Sequence, residues 1–142
     1  MSTNRDNLET AVAAWNAGDL DGYLTLYDEQ IQLHGYTPAP LDKPGVRGFY
    51  QMIHGALAAS AAASPTLQLE DVIEQSGRIA ARFALSGEHR GLFMGASATG
   101  RPITLTGITI MHFRDGRVVE RWSSADMLGL LTQIGVWSPP GS

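Results

Sequence analysis

The first part of the chain repeats apolar residues with the period of an α-helix. Apolar residues at i, i+4 and i+7 over roughly residues 5–17 predict a helix with one buried face, made by Leu8, Val12 and Trp15. Gly18 follows directly, as expected of a left-handed residue that ends a helix. Asp19 then predicts the N-cap of a short second helix.

Beyond residue 30 the apolar period changes from 3.6 to 2. Ile31 and Leu33 alternate with Gln32 and His34, which predicts a half-buried strand. A proline-rich loop follows this strand. Residues 45–62 are rich in alanine and predict a third helix before the next proline.

The second half of the chain predicts strands joined by tight turns. Two apolar segments flank Ser76-Gly77, and two more flank Asp115-Gly116, so each dipeptide predicts a β-hairpin. Asp126 predicts the cap of a last helix that runs to about Ile134, and residues 136–142 form a loose tail. Helices followed by strands predict one α+β domain over residues 1–142, with helices packed on a curved antiparallel sheet.

Composition narrows the function classes. The 142 residues carry a net charge of −4 without a cluster of Lys or Arg, which argues against nucleic-acid and anionic-membrane partners. Cysteine is absent, and the four histidines have no metal-ligand spacing, so we expect neither a metal site nor a cofactor. The opening MSTNRDNLET has no apolar signal-peptide segment, and we expect a cytoplasmic protein.

Several short motifs in a fixed order resemble one known family. The motifs are Trp15-Asn16-Ala17-Gly18-Asp19, Gly45-x-x-Gly48-Phe49-Tyr50, Gly87-x-His89-x-Gly91, Asp115-Gly116-Arg117-Val118-Val119-Glu120 and Gln133-Ile134-Gly135. Together they resemble the SnoaL-like polyketide cyclases, within the NTF2-like and ketosteroid-isomerase-like group. The resemblance implies a cone-shaped fold, with a curved antiparallel sheet wrapped around three N-terminal helices. It also implies a deep apolar pocket for a hydrophobic small molecule, and a homodimer.

Four positions depart from the cyclase pattern. Where many family members carry His-Trp-Asp, with the Asp as general acid/base for aldol closure, this chain has Arg121-Trp122-Ser123. On the preceding strand, Gly107 and Thr109 replace the Gln and His of characterised cyclases. Any acid/base chemistry must therefore use other residues.

The turn at Asp115-Gly116 determines which side chains face the pocket. A two-residue turn pairs Arg114 with Arg117, whereas a three-residue turn with a left-handed Gly116 pairs Phe113 with Arg117. We expect the three-residue turn, because it places the family's polar positions on one face. It sets Thr109 opposite Arg121, Gly107 opposite Ser123, and Val118 on the outer face with Glu120.

Three residues are candidates for catalysis and four for substrate binding. His34 has a reference pKa suited to proton transfer and lies where relatives point a polar residue into the cavity, although a structural role is the alternative. An inward Arg121 could stabilise an enolate or carboxylate beside Ser123, whereas at the rim it would be solvated. The binding candidates, each of which also has a packing interpretation, are Trp15, Tyr50, His54 and Thr109.

Two classes of function remain open from the sequence. The first is an enzyme of cyclase, isomerase or lyase type, using acid/base chemistry on an apolar cyclic or polyketide-like substrate. The second is a non-catalytic module that binds a small molecule or a partner chain, which the loss of the cyclase acid/base residues favours. The retained pocket, with a cation and a histidine expected inside it, favours the enzyme.

Overall fold

A computed structural model describes residues 3–141, which form four helices and five strands. The helices are α1 (Asn4–Asn16), α2 (Leu20–Leu24), α3 (Lys43–Ala56) and α4 (Met127–Gln133). The strands are β1 (Tyr27–His34), β2 (Thr66–Gln75), β3 (Arg78–Glu88), β4 (Pro102–Arg114) and β5 (Arg117–Ala125). The predicted α+β class is confirmed. No helix among the described residues has the length and apolar character needed to cross a membrane.

All five strands form one open sheet in the order β1-β5-β4-β3-β2. The pairs β2–β3, β3–β4 and β4–β5 are antiparallel, but β1 pairs with β5 in parallel. The sheet is therefore mixed rather than purely antiparallel. β1 runs in the same direction as β5 because the chain reverses once through α3, so that β2 runs opposite to β1, and then reverses three more times from β2 to β5.

The N-caps predicted at Asp19 and Asp126 are confirmed, and α1 has a cap of its own. Thr3 and Asp6 form a capping box at α1, and Asp19 accepts a hydrogen bond from the Gly22 amide at α2. Asp126 likewise accepts from the Gly129 amide at the start of α4, at 2.8 Å. Its carboxylate thereby satisfies one of the unpaired amides of the first helical turn.

The third helix is shorter than its alanine content predicts. It begins at Lys43, after the N-cap Asp42, and it ends at Ala56 rather than at residue 62. The end of β3 stops it, because the amides of Glu88 and Arg90 donate to the carbonyls of Ala58 and Ala56. Helix propensity alone does not include this tertiary competition.

The β4–β5 hairpin corrects the predicted turn. Arg114 pairs with Arg117 across a two-residue turn, and both central residues are left-handed, with φ of 52° at Asp115 and 80° at Gly116. A β-bulge follows, because the register shifts between the pairs Phe113–Val118 and His112–Glu120, which leaves Val119 as the extra residue.

The extra residue shifts which β5 side chains point to each face of the sheet. Beyond the bulge, the side chains therefore face as the sequence analysis predicts. Thr109 pairs with Ser123 rather than with Arg121, so the predicted register is wrong by two residues. Even so, Arg121 and Ser123 are buried on the inner face, as predicted. Val118, expected outside, is completely buried because it precedes the extra residue.

Candidate functional site

A largely apolar cavity lies between the helices and the inner face of the sheet. It encloses about 420 Å³ of empty space, including its opening to solvent. Helix α1 contributes Trp15, α3 contributes Tyr50, and β5 contributes Arg121, the one charged residue that lines the cavity within residues 3–141. The other lining residues are Tyr23, Tyr36, Phe49, Ile53, Leu67, Phe83, Leu85 and Leu105.

Tyrosine hydroxyls surround one side of the Arg121 guanidinium. Its Nη1 donates to Tyr50 at 2.9 Å, to Tyr23 at 3.2 Å, and also to Tyr27. The hydroxyls of Tyr23 and Tyr27 are 2.6 Å apart and share a further hydrogen bond. The sequence contains four tyrosines, and all four lie in this part of the molecule, since Tyr36 also lines the cavity. We call Arg121 with these four residues the arginine–tyrosine cluster.

Two hydroxyls on the sheet fix the other side of the guanidinium. The Nε of Arg121 donates to Thr109 at 2.7 Å and to Ser123 at 3.2 Å. Ser123 donates to Thr109 at 3.0 Å, and Thr109 donates to the Trp122 carbonyl. Thr109 therefore uses its one donor and both of its acceptor positions within the protein. Both hydroxyls orient Arg121, and Thr109 has no capacity left for a ligand.

Arg121 is a buried cation without a carboxylate partner. Only 8% of its surface is exposed, and among residues 3–141 it forms no ion pair with an Asp or Glu. Burial opposes its charge, but the tyrosine oxygens outweigh this, so the pKa of Arg121 is held well above its usual value. Such a site keeps its positive charge and stabilises an anion placed beside it.

Three phenols of the cluster are held neutral by burial. Burial raises the pKa of Tyr23, Tyr36 and Tyr50 above the usual value, because a phenolate loses its hydration there. Arg121 acts in the opposite direction on all three without overcoming burial. At neutral pH the cluster therefore presents one positive charge and several O–H donors.

His34 does not reach this cavity, which corrects the expectation that it faces inward. It pairs with Trp122 across β1 and β5, whereas its neighbour Leu33 pairs with Arg121 on the inner face. Its Nε2 lies 2.7 Å from the Glu120 carboxylate, and its ring stacks on Trp122 at 5.1 Å. The apolar side of β1 faces the core because the helices cover that side. The cavity is continuous with the core, so the polar side of the strand faces away from it.

Only some of the predicted substrate-binding residues line the cavity. Trp15 and Tyr50 line the cavity, and the Trp15 indole donates to the Pro65 carbonyl at 2.9 Å. His54 does not line it, because its ring lies behind Trp15, edge-on at 4.0 Å. Burial lowers the pKa of His54 and favours its neutral form. Gly107 lies on the inner face, where an added Cβ would come within 2.5 Å of the Phe83 ring.

Sequence reasoning missed Tyr23, Tyr27 and Tyr36. The spacing after Asp19 is typical of a helix with Tyr23 and Tyr27 on one face, but the second helix ends at Leu24 and Tyr27 begins β1. A usable signal existed, because every tyrosine of the chain falls within residues 23–50 and buried phenols need hydrogen-bond partners. No grouping of three metal-ligating side chains occurs within the described part of the chain.

The chain is similar to known proteins over nearly its whole length. The family model for the SnoaL-like polyketide cyclases matches residues 5–134. The aklanonic acid methyl ester cyclase DnrD of Streptomyces peucetius is 31% identical over 99% of this chain and 97% of its own length. DauD of Streptomyces sp. (strain C5), with the same description, is 30% identical over 99% of this chain and 87% of its own length.

Solved structures share the fold over almost the whole chain. AclR from Streptomyces galilaeus has a TM-score of 0.83 at 24% identity, covering 95% of this chain and 97% of its own. IdmH from Streptomyces antibioticus has a TM-score of 0.76 at 28% identity, covering 95% of this chain and 100% of its own. The predicted NTF2-like architecture is therefore confirmed.

Proposed function

This chain belongs to the SnoaL-like polyketide cyclase family, and we propose that it is a cyclase-type enzyme that closes a ring in an apolar, polyketide-like substrate. The observation that carries the proposal is the buried guanidinium of Arg121, which has no carboxylate partner among the described residues and borders an apolar cavity. An anion that develops on a bound substrate would gain most from such a charge.

The proposed reaction is an intramolecular aldol closure. The enol carbon of a 1,3-dicarbonyl group attacks a ketone carbon, a C–C bond forms, and the ketone π pair moves to its oxygen. The enol O–H proton is released and a proton is taken up by the new alkoxide, so the product is an isomer of the substrate and no co-substrate is consumed. The hydroxyl chain from Tyr50 through Tyr27 to Tyr23 can both accept and donate this proton.

This route accounts for a serine at position 123. A 1,3-dicarbonyl substrate is already largely enolised, so a strong carboxylate base is unnecessary. Arg121 then stabilises the enolate, while Ser123 and Thr109 hold the guanidinium in place through Nε. Trp15 and Tyr50 supply flat walls for an aromatic or polycyclic body. His34 has no role in this scheme.

Aklanonic acid methyl ester is the first substrate to test, because both curated relatives reported above are named as its cyclases. Purified protein should convert it to an isomer of unchanged mass and shifted retention time in liquid chromatography–mass spectrometry. Ser123→Asp is an informative companion, since it places the family's usual carboxylate beside Arg121. Absence of turnover with this ester and with shorter enolisable β-diketones, in protein that is folded, would refute the cyclase.

A second candidate function is non-catalytic binding of the same class of molecule. The observation in its favour is that no carboxylate or imidazole lines the cavity among residues 3–141. A bound ligand would raise the melting temperature by mass action and be recovered unaltered. Stabilisation by aklanonic acid methyl ester without any isomer in the recovered material would support binding over catalysis.

A homodimer through the outer face of the sheet is also proposed. One register row crosses all five strands and carries His34, Trp122, Ile110, Ala80 and Ile73. Ile110 is 45% exposed and Ile108, nearby on the same face, is 58% exposed, which supports an interface of paired sheets. Ile110→Lys should convert a dimer to a monomer in analytical ultracentrifugation. A wild-type chain that sediments as a monomer at micromolar concentration would exclude this interface.

A further inference from the structure

The loop between β1 and α3 brings a fourth tyrosine to the cavity. Residues 34–40 are closed at their base by Leu33 and Leu41, which exchange two backbone hydrogen bonds of 3.0 and 2.9 Å. Gly35 has a φ of 112°, and a Cβ on it would lie 1.9 Å from the Ser123 carbonyl oxygen. Only glycine permits this approach. The loop therefore lies directly against the β5 segment that carries Arg121 and Ser123.

Tyr36 differs from the other three tyrosines of the cluster in how its hydroxyl is used. Tyr23, Tyr27 and Tyr50 accept hydrogen bonds from Nη1 of Arg121, but Tyr36 does not. Its ring lines the cavity and stacks on Phe49 at 4.4 Å with an interplanar angle of 29°. The side chain is half-buried, so it stands where the cavity approaches solvent.

The Arg121 guanidinium also has an unused side. Every hydrogen bond from this guanidinium to the described residues uses Nε or Nη1. Nη2 makes none, and it does not belong to the fully enclosed polar atoms that lack a partner. Nη2 is therefore at least partly exposed, and Arg121, whose side chain is fixed by five hydrogen bonds, lines the cavity.

We propose that the Tyr36 hydroxyl and Nη2 of Arg121 form a two-donor site that binds one oxygen anion of the ligand. The ligand class is a planar, conjugated enolate or phenolate, whose apolar body lies against the aromatic walls. This inference deepens the proposed function and rests on it for the identity of the reacting oxygen. The donor pair itself depends only on the geometry of the cavity.

The arrangement also explains why Tyr36 rather than Tyr50 is assigned this role. The Tyr50 hydroxyl accepts from Nη1 and, at 3.4 Å, from Tyr27, which fixes its oxygen on the side of Arg121 that is already used rather than beside Nη2. Burial raises the pKa of the Tyr36 phenol, and although Arg121 and a hydrogen bond with Ser123 act in the opposite direction, the phenol stays neutral and can donate to an oxyanion. Phe49 holds its ring without competing for the hydroxyl.

The test uses 7-hydroxycoumarin, a planar conjugated phenol whose two protonation states differ in absorbance. We expect the wild-type protein to lower the pKa of the bound probe by about one pH unit relative to the free probe, because both donors favour the phenolate. Tyr36→Phe should abolish most of this pKa shift and weaken binding of the phenolate form about tenfold. Binding of the neutral probe at low pH should change by less than about twofold.

Phe49→Leu is the matched control. It removes an aromatic wall of the cavity but keeps an apolar side chain against Tyr36 and leaves both donors, so it should weaken both protonation states of the probe equally and leave the pKa of the bound probe unchanged. Thermal melts establish that each variant is folded. A Tyr36→Phe protein that behaves like Phe49→Leu assigns Tyr36 a packing role and overturns the proposal. A wild-type protein that fails to bind the probe, or fails to lower its pKa, overturns it equally.

The measurement involves no turnover, so its result is separate from that of the cyclase assay. A lowered probe pKa that depends on Tyr36, together with no turnover of aklanonic acid methyl ester, would refute the enzyme and support the donor pair in a binding protein. Turnover with an unshifted probe pKa would support the enzyme and refute the donor pair.

Discussion

Two polar groups of side chains lie on opposite faces of β5, one residue apart in sequence. On the inner face, Arg121 and Ser123 belong to a buried network of hydroxyls. On the outer face, Glu120 pairs with His34 beside the Trp122 ring. The inner network contains a cation without a carboxylate, and the outer one contains a carboxylate with a histidine.

The two polar groups differ mainly in how far they are buried. The His34 and Glu120 side chains remain 28% and 34% exposed, and pairs of this kind contribute about 0–1 kcal/mol because water competes for both groups. Arg121 is screened from water, so its charge and hydrogen bonds act at a lower effective dielectric. The side chains that suggest acid/base chemistry, His34 and Glu120, lie on the outer face of the sheet. The low effective dielectric that strengthens electrostatic stabilisation lies on the inner face, around Arg121.

The largest expected effect follows removal of the inner charge. Arg121→Met should reduce cyclase turnover by about 100-fold or more, because the developing anion loses its cation. Arg82→Met removes an arginine of the outer face, where it pairs with Glu70, and should leave turnover within about twofold. Steady-state kinetics on both variants check this. Turnover of Arg121→Met within threefold of wild type would place the chemistry elsewhere.

The next effect concerns the contact between the loop and β5. Gly35→Ala should destabilise the protein by about 2 kcal/mol or more, since the added Cβ meets the Ser123 carbonyl at a positive φ. Gly48→Ala is the control, because it lies in α3 with open space around it and should stabilise slightly. Urea denaturation measures both. Equal stability of the two variants would contradict the close approach.

A smaller effect is expected from titration of the inner phenols. The pKa values of Tyr23, Tyr36 and Tyr50 are raised above about 10, so the unfolded chain loses these protons first as the pH rises. The stability that they contribute is complete below pH 10 and is lost above it. Absorbance at 295 nm should therefore show these phenols ionising only as the protein unfolds, whereas in guanidinium they should ionise near pH 10. Ionisation of these three phenols near pH 10 in folded protein would contradict this.

The smallest effect is expected from the outer pair. Glu120→Gln should change the free energy of unfolding by no more than about 1 kcal/mol and leave turnover unchanged, because the pair is partly exposed and remote from the cavity. Denaturation curves and steady-state kinetics on the same preparation measure both quantities. A loss of turnover above tenfold in stable protein would restore His34 and Glu120 as catalytic candidates.

The β4–β5 hairpin was predicted only in part from the sequence. The Asp115-Gly116 dipeptide predicted a reversal correctly, and the inward facing of Arg121 and Ser123 was also correct. The three-residue turn from which this facing was predicted is wrong. The turn has two residues, and the bulge at Val119 brings Arg121 and Ser123 to the inner face instead. A bulge leaves little trace in a single sequence, since it depends on how β5 fits both β4 and β1.

The sequence by itself determined the helix caps, the strand periods, the reversals at Ser76-Gly77 and Asp115-Gly116, and the family resemblance. These are local features, set by backbone conformation and by hydrogen bonds within a few residues. Only the tertiary structure decided that Tyr23, Tyr27 and Tyr50 converge on Arg121 beside Tyr36 in the cavity wall, and that His34 faces away from them. The physical reason is that burial and facing depend on which face of the sheet the helices cover, and this is a property of the whole packed domain.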